Sequence, residues 1–175
     1  VEALRFLSDP SKKGILVCNI AASRLILPSP TRFKESIIRI AVGEEYDQHE
    51  LLHQLKEIGY RKVTQVQTQG EFSIRGDILD IFEMSQLEPF RIEFFGDEVD
   101  GIRSFEVETQ LSKENQTNLT IFPASDILLR EKDYQQGQSA LEKQISKTLS
   151  PILKSYLEEI LSSFHQKQVH SDSRK

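Results

Sequence analysis

Gly70-Glu71-Phe72-Ser73-Ile74-Arg75-Gly76-Asp77-Ile78-Leu79-Asp80-Ile81-Phe82, followed shortly by Arg91-Ile92-Glu93-Phe94-Phe95-Gly96-Asp97-Glu98-Val99-Asp100, carries apolar side chains at alternate positions. That is the two-residue period of a β-strand with one buried face. In the first block Phe72 and Ile74 share one face while Glu71, Ser73 and Arg75 take the other. Beyond Gly76 the parity slips, with Leu79 and Ile81 apolar on the opposite count, and the slip predicts a β-bulge at Gly76. In the second block Ile92 and Phe94 share a face, so Arg91, Glu93 and Phe95 fall together on the other. Gly96-Asp97 suits a two-residue hairpin turn, Glu83 to Pro89 a longer connection, and Lys113 to Asn118 a polar loop. The alternating period holds from Val63 to about Val107 and predicts an antiparallel meander.

Just upstream the period is helical. Asp47 is placed as an N-cap with Glu50 as its capping-box partner, Gly59 is the stop, and Leu51, Leu52, Leu55 and Ile58 form the buried stripe. Nearer the start, a short helix around Ala3 to Leu7 meets the breaker Asp9-Pro10, and Gly14 to Ile20 reads as a strand apolar on both faces. Pro28 and Pro30 are expected to close a helical segment, and Ser36 to Val42 is a second strand. Two strands cannot build a parallel sheet, so part of a larger domain is expected to lie outside this chain, which begins at Val1 and reads as a piece of a longer protein. Beyond Tyr134 apolar residues recur at three and four, and Ser150-Pro151 divides the pattern into two helices. The fold class is α+β: a β-meander module with a capped helix, flanked by partial α/β elements and C-terminal helices.

With 22 basic and 27 acidic residues among 175, the net charge is −5, and no global basic field exists to hold a phosphate backbone. Direct DNA binding is disfavoured. Cys18 is the only cysteine and sits in an apolar run without a neighbouring cation, so it reads as an inert core thiol, and the chain as cytosolic.

Three short motifs invite functional readings. His49-Glu50-Leu51-Leu52-His53 matches the H-E-x-x-H pattern of zinc hydrolases, but helical projection puts the leucines on one side and both histidines on the other, facing water. The extended zinc pattern needs a glycine at 56 and a histidine at 59, where the chain has Lys56 and Gly59. Arg75-Gly76-Asp77 and the sequons at Asn115 and Asn118 have meaning only on an extracellular chain. No G-x-x-x-x-G-K phosphate loop occurs.

Residues 70–108 hold eleven acids against three bases, Arg75, Arg91 and Arg103, and six of the ten phenylalanines. Phe95 is an aromatic on the polar side of its strand. It either covers an edge or a neighbouring domain, with the arginines paired to nearby acids, or it belongs to a protein-binding face, where aromatic and arginine residues supply most hot spots. Pattern leaves both open.

The two blocks resemble the UvrB-homology module of bacterial nucleotide excision repair, found in UvrB and in the transcription-repair coupling factors. Ile58-Gly59-Tyr60, the Gly70-Glu71-Phe72 opening, and Leu25 to Phe33 with Leu27-Pro28-Ser29-Pro30 are more similar to the coupling factors, and the likeness extends from about Gly14 to Leu128. The resemblance implies a non-catalytic adaptor, inserted into a degenerate RecA-like domain, that docks on UvrA and brings damage recognition to a stalled RNA polymerase. Residues 44–118 would be the UvrA-interaction domain, 1–43 the end of the RecA-like part, and 119–175 a helical return segment. Arg75, Arg91 and Phe95 match the family's UvrA-contacting positions, turned outward as two cationic forks and a phenyl ring. No cofactor or metal is expected in this stretch; ATP and magnesium, RNA polymerase and double-stranded DNA belong to other domains of an ATP-dependent DNA translocase. The alternatives are the equivalent domain of UvrB and a zinc hydrolase using His49, Glu50 and His53. Glu83 departs from the family, which often has proline there.

Overall fold

The computed structural model of the chain describes residues 2–9, 11–24, 27–128 and 131–172. They fall into two compact units that divide after Leu128. Pro10 of the expected breaker and Leu25 of the family-like approach lie outside the described residues.

In the first unit α1 (Glu2–Ser8), α2 (Ile20–Ser23), α3 (Pro30–Glu35) and β1 (Ile38–Ala41) lead into α4 (Gln48–Glu57). Then come β2 (Arg61–Lys62), β3 (Glu71–Arg75), β4 (Ile78–Ile81), β5 (Phe90–Phe95), β6 (Glu98–Phe105), β7 (Ser112–Gln116) and β8 (Asn118–Ile121). Strands β2 to β7 form one six-stranded sheet in sequence order, antiparallel throughout except for the parallel β2–β3 edge. Strands β1 and β8 pair separately, with Ile40 opposite Leu119, so the chain enters and leaves the module as neighbouring strands. Strand β1 ends at Ala41, before the 43/44 boundary that the sequence suggests, and β8 runs across 118/119.

One face of the sheet carries the main core, and the other a smaller cluster of Val66, Phe82 and Phe105. Phe72, Leu79, Ile81, Ile92, Phe94 and Ile102 share a cluster with Leu51, Leu55 and Ile58 of the α4 stripe and with Ile40 and Ile121 of the two-stranded pair. Helix α4 starts where its cap predicts: Asp47 Oδ1 accepts from the Glu50 amide at 3.1 Å, while the Glu50 carboxylate accepts from Gln54 Nε2 at 2.9 Å. Its end at Gly59 is doubly constrained. Gly59 has φ +97, and a Cβ there would come within 2.6 Å of Ser125 Cβ, because the return segment folds back so that the Ala124 and Ser125 amides donate to the Ile58 carbonyl. The buried Tyr60 phenol donates to the Phe122 carbonyl at 3.0 Å, and burial, reinforced by nearby Glu83, pushes its pKa well above the ordinary value. Glu83 itself is fully buried, accepting from the Ser85 amide at 2.7 Å and the Phe122 amide at 3.3 Å. Glu83 thus ties the β4–β5 connection to the return segment.

Four expectations are corrected. Gly76 is no bulge: Gly76-Asp77 is a two-residue turn with positive φ at the glycine alone, the II′ pattern, so Leu79 pairs with Ile74 and Ile81 with Phe72 across a hairpin. The parity slip is that turn. Lys113 to Asn118 is not a loop; it holds β7, exposed at every residue, an edge strand whose polar sequence hides the period because neither face is buried. Pro30 opens a helix instead of closing one, as N1 behind the Ser29 cap. Gly14 to Ile20 forms no strand: Ile15, Val17 and Cys18 are exposed and Asn19 caps α2. A strand exists only beside another, and no described residue pairs with this segment.

The second unit is a helical pair, α5 (Glu131–Lys147) packed on α6 (Pro151–Asp172). Ser150 caps α6 as expected, accepting from the Leu153 amide at 3.4 Å.

On the sheet's outer face Glu71 is buried beneath the segment leading into β3, accepting from the Gln67 and Thr68 amides at 2.9 and 3.0 Å and from Arg61. Burial works to raise its pKa, but these bonds outweigh it and hold the group below its ordinary 4.5. The ionised carboxylate therefore contributes stability that is fully present above that value and is lost as pH falls through the lower folded value. In urea unfolding at pH 7, Glu71→Gln is expected to cost about 1.5–3 kcal/mol. The gap from the parent chain should close on acidification, and equal midpoints at pH 7 would show that the three bonds contribute nothing net.

Candidate functional site

The outer face of the sheet is open where β3, β4 and β5 meet their turns. Register puts Asp80, Arg91 and Arg103 side by side on β4, β5 and β6, and Arg75 two positions beyond Ser73, which faces Asp80. Asp80 is 2% exposed, and both its oxygens are engaged. Arg91 Nε donates to Oδ1 at 2.7 Å and Nη2 to Oδ2 at 2.9 Å, a two-bond fork. Arg75 Nη2 donates to the same Oδ2 at 3.1 Å.

The two arginines differ in what they offer. The Arg75 side chain is 59% exposed and donates to Asp80 through one nitrogen, leaving most of its guanidinium donors toward solvent. Arg91 is 14% exposed, and its fork turns inward rather than outward. Its Nη1 reaches the Gln110 carbonyl at 3.3 Å, and its guanidinium lies 4.7 Å from the centre of the Phe105 ring. Its hydrogen bonds to Asp80 raise its already high pKa further against the cost of desolvation. Gln110 adopts φ +60, the one non-glycine residue with positive φ among those described, in the bent β6–β7 connection that presents its carbonyl. Beside this group, Glu93 pairs with Arg103 at 3.2 Å.

Phe95 stands at the end of β5 with 81% of its surface exposed, so it covers no edge of this chain. Its hairpin is held from outside. Gln48 Nε2 donates to the Gly96 carbonyl at 2.9 Å, the Tyr46 amide to the Asp97 carbonyl at 2.7 Å, and the Val99 amide to the Glu44 carbonyl at 3.0 Å. Arg75 and Arg91 therefore converge on one carboxylate, and Phe95 shares the strand and face of Arg91. Sequence reasoning missed Asp80 and Gln110. Asp80 could have been found from the Gly76 turn, since a two-residue hairpin puts it opposite Ser73 and next to β5; the Gln110 carbonyl carries no sequence signal.

The H-E-x-x-H residues sit on α4 with Leu51 and Leu55 inward and both His49 and His53 exposed. Among the described residues no three His, Cys, Asp or Glu side chains converge as a metal site.

The profile of the UvrB interaction domain matches residues 38–126, from β1 to the return segment after β8 and just over half of the 175 residues. The chain belongs to the UvrB interaction domain family. It is also 35% identical over 147 residues to the transcription-repair-coupling factor of Bacillus subtilis, covering 84% of this chain and 12% of that protein. Against the one from Staphylococcus haemolyticus it is 36% identical over 154 residues, 88% of this chain and 13% of the relative. The Haemophilus influenzae factor is 35% identical over 116 residues, 66% of this chain and 10% of that protein. The chain thus spans about an eighth of the length of the first two relatives. This UvrB interaction domain is allied to coupling factors, in keeping with the Gly70-Glu71-Phe72 opening.

Burial separates the site residues energetically. Removing Arg91 leaves Asp80 desolvated with only Arg75 beside it, and Arg91→Ala is expected to destabilise the family member on the order of 3 kcal/mol. Phe95→Ala, at an exposed position, is expected to change stability by no more than about 0.5 kcal/mol. Urea unfolding of the two variants side by side checks this, and coincident midpoints would contradict it.

Proposed function

We propose that this chain is the UvrA-docking module of a transcription-repair coupling factor. The observation that carries the reading is Phe95, a solvent-facing phenyl ring on a clamped hairpin, displayed on the same sheet face as the Arg75–Asp80–Arg91 cluster. An exposed aromatic beside a cationic fork is the composition of an interface hot spot, with the ring filling an apolar pocket and the fork taking a carboxylate. Arg75 supplies the open fork, Phe95 the anchor, and Arg91 its remaining donors together with the rigidity of the cluster. Family membership and the likeness to coupling factors support UvrA as the partner.

In this reading the module is an adaptor without catalytic groups or cofactor of its own, working in the cytoplasm. The motor that uses ATP and magnesium, and the contacts to RNA polymerase and double-stranded DNA, lie in other parts of the parent protein. Among the described residues no helix is long and apolar enough to cross a membrane.

Titration calorimetry with purified UvrA tests the assignment. Arg75→Ala and Phe95→Ala are each expected to weaken binding by about 1–3 kcal/mol with circular dichroism unchanged. The Arg75 contribution should shrink as salt is raised while that of Phe95 persists. Unchanged affinity in both variants would refute the docking face.

A further inference from the structure

We propose that Asp80 is the positioning residue of this docking face, holding Arg75 ready for a carboxylate on the partner; the inference rests on the docking role proposed above. At 2% exposure Asp80 cannot itself touch a partner, yet its two oxygens receive three guanidinium bonds. Order passes outward through it. Phe105 and the Gln110 carbonyl fix Arg91, Arg91 fixes the Asp80 carboxylate with two parallel bonds, and Asp80 Oδ2 fixes Arg75 with one. Arg75 needs such a hold because it is the last residue of β3 before the Gly76 turn, with a long side chain that would otherwise lose rotamer freedom only on binding. A single bond through one nitrogen restrains the guanidinium and leaves its remaining donors for an incoming carboxylate.

The charge count sharpens the inference. Two arginines and one aspartate leave the cluster with one net positive charge, so Asp80 weakens the attraction of the face for an acidic partner while ordering it. If charge alone mattered, Asp80→Asn would tighten binding; a positioning role requires the opposite sign.

Two measurements on the 175-residue chain test this. The first uses no partner: nitrogen-15 relaxation of the Arg75 side chain should show a restrained guanidinium that becomes mobile in Asp80→Asn, and equal mobility in both would overturn the proposal. The second is a double-mutant cycle with UvrA, in which Asp80→Asn is expected to weaken binding about tenfold in the parent chain and less than about twofold in the Arg75→Ala background. Tighter binding, or the same loss in both backgrounds, would overturn it. Should Asp80→Asn not fold, Asp80→Glu keeps the charge and displaces the carboxylate by one methylene, and the same non-additivity with Arg75→Ala is expected. A freed Arg75 in Asp80→Asn, combined with unchanged UvrA affinity for Arg75→Ala and Phe95→Ala, would sink the docking role and leave the positioning intact.

Discussion

A carboxylate removed from water must be met by donors on both oxygens or it unfolds what surrounds it, and Asp80 is the point on the outer face where this sheet meets that condition. The Arg91 fork that satisfies it crosses from β5 to β4, so the same bonds that neutralise the aspartate fasten two central strands on the face opposite the main core, beside the smaller cluster of Val66, Phe82 and Phe105. Arg91 is held in turn by the Phe105 ring and by the Gln110 carbonyl from the β6–β7 connection. The positive φ of Gln110 is local strain that this contact helps offset. One ion pair thereby links three strands and a connection into a rigid platform.

The buried face of the sheet and the α4 stripe were legible because burial on one side imposes a period that sequence must obey. Phe72, Ile92 and Phe94 fall where alternation puts them, and Asp47, Leu51, Leu55 and Gly59 where helix capping does. What stayed hidden has physical causes as well. Strand β7 has no buried face and hence no period, although Lys113 reaches Glu88 at 2.6 Å and keeps that edge charged. The apolar run at Gly14 to Ile20 looked like a strand because composition reports what a segment can bury, whereas pairing depends on what lies beside it. Phe95 was visible as a parity violation; the inward turn of Arg91 was not, since it depends on Asp80, and Asp80 acquires its neighbours only through the Gly76 hairpin.

The module closes upon itself through polar bonds at its entry and exit. Arg32 Nε and Nη2 both reach the Leu128 carbonyl, at 3.2 and 3.0 Å, tying α3 to the last residues of the unit. Tyr60 and Glu83 grip Phe122 through its carbonyl and its amide, and Ile58 takes the amides of Ala124 and Ser125. The return segment is therefore part of the fold of the UvrB interaction domain, which agrees with a family match that continues to residue 126. A proline at 83 would give the connection a fixed turn but no carboxylate, whereas Glu83 supplies the bond that holds Phe122, just after β8, in place.

An exposed phenyl ring attracts any apolar surface, and specificity in the proposed docking role must come from what surrounds Phe95. Asp97, Glu98 and Asp100 are all exposed on the same hairpin, and the chain as a whole carries a net charge of −5. A second copy approaching this hairpin would bring the same acids against it, and like-charge repulsion would oppose what the two rings gained. A suitable partner has to offer an apolar pocket for Phe95 with no acidic rim on that side, and a carboxylate only where Arg75 waits. Since Arg91 is filled by Asp80, the face has one open cationic fork rather than two, and the positions of ring and fork are fixed separately, by the Gln48 and Tyr46 clamp and by Asp80. Recognition then depends on the placement of two rigid features relative to each other, which charge matching alone cannot imitate.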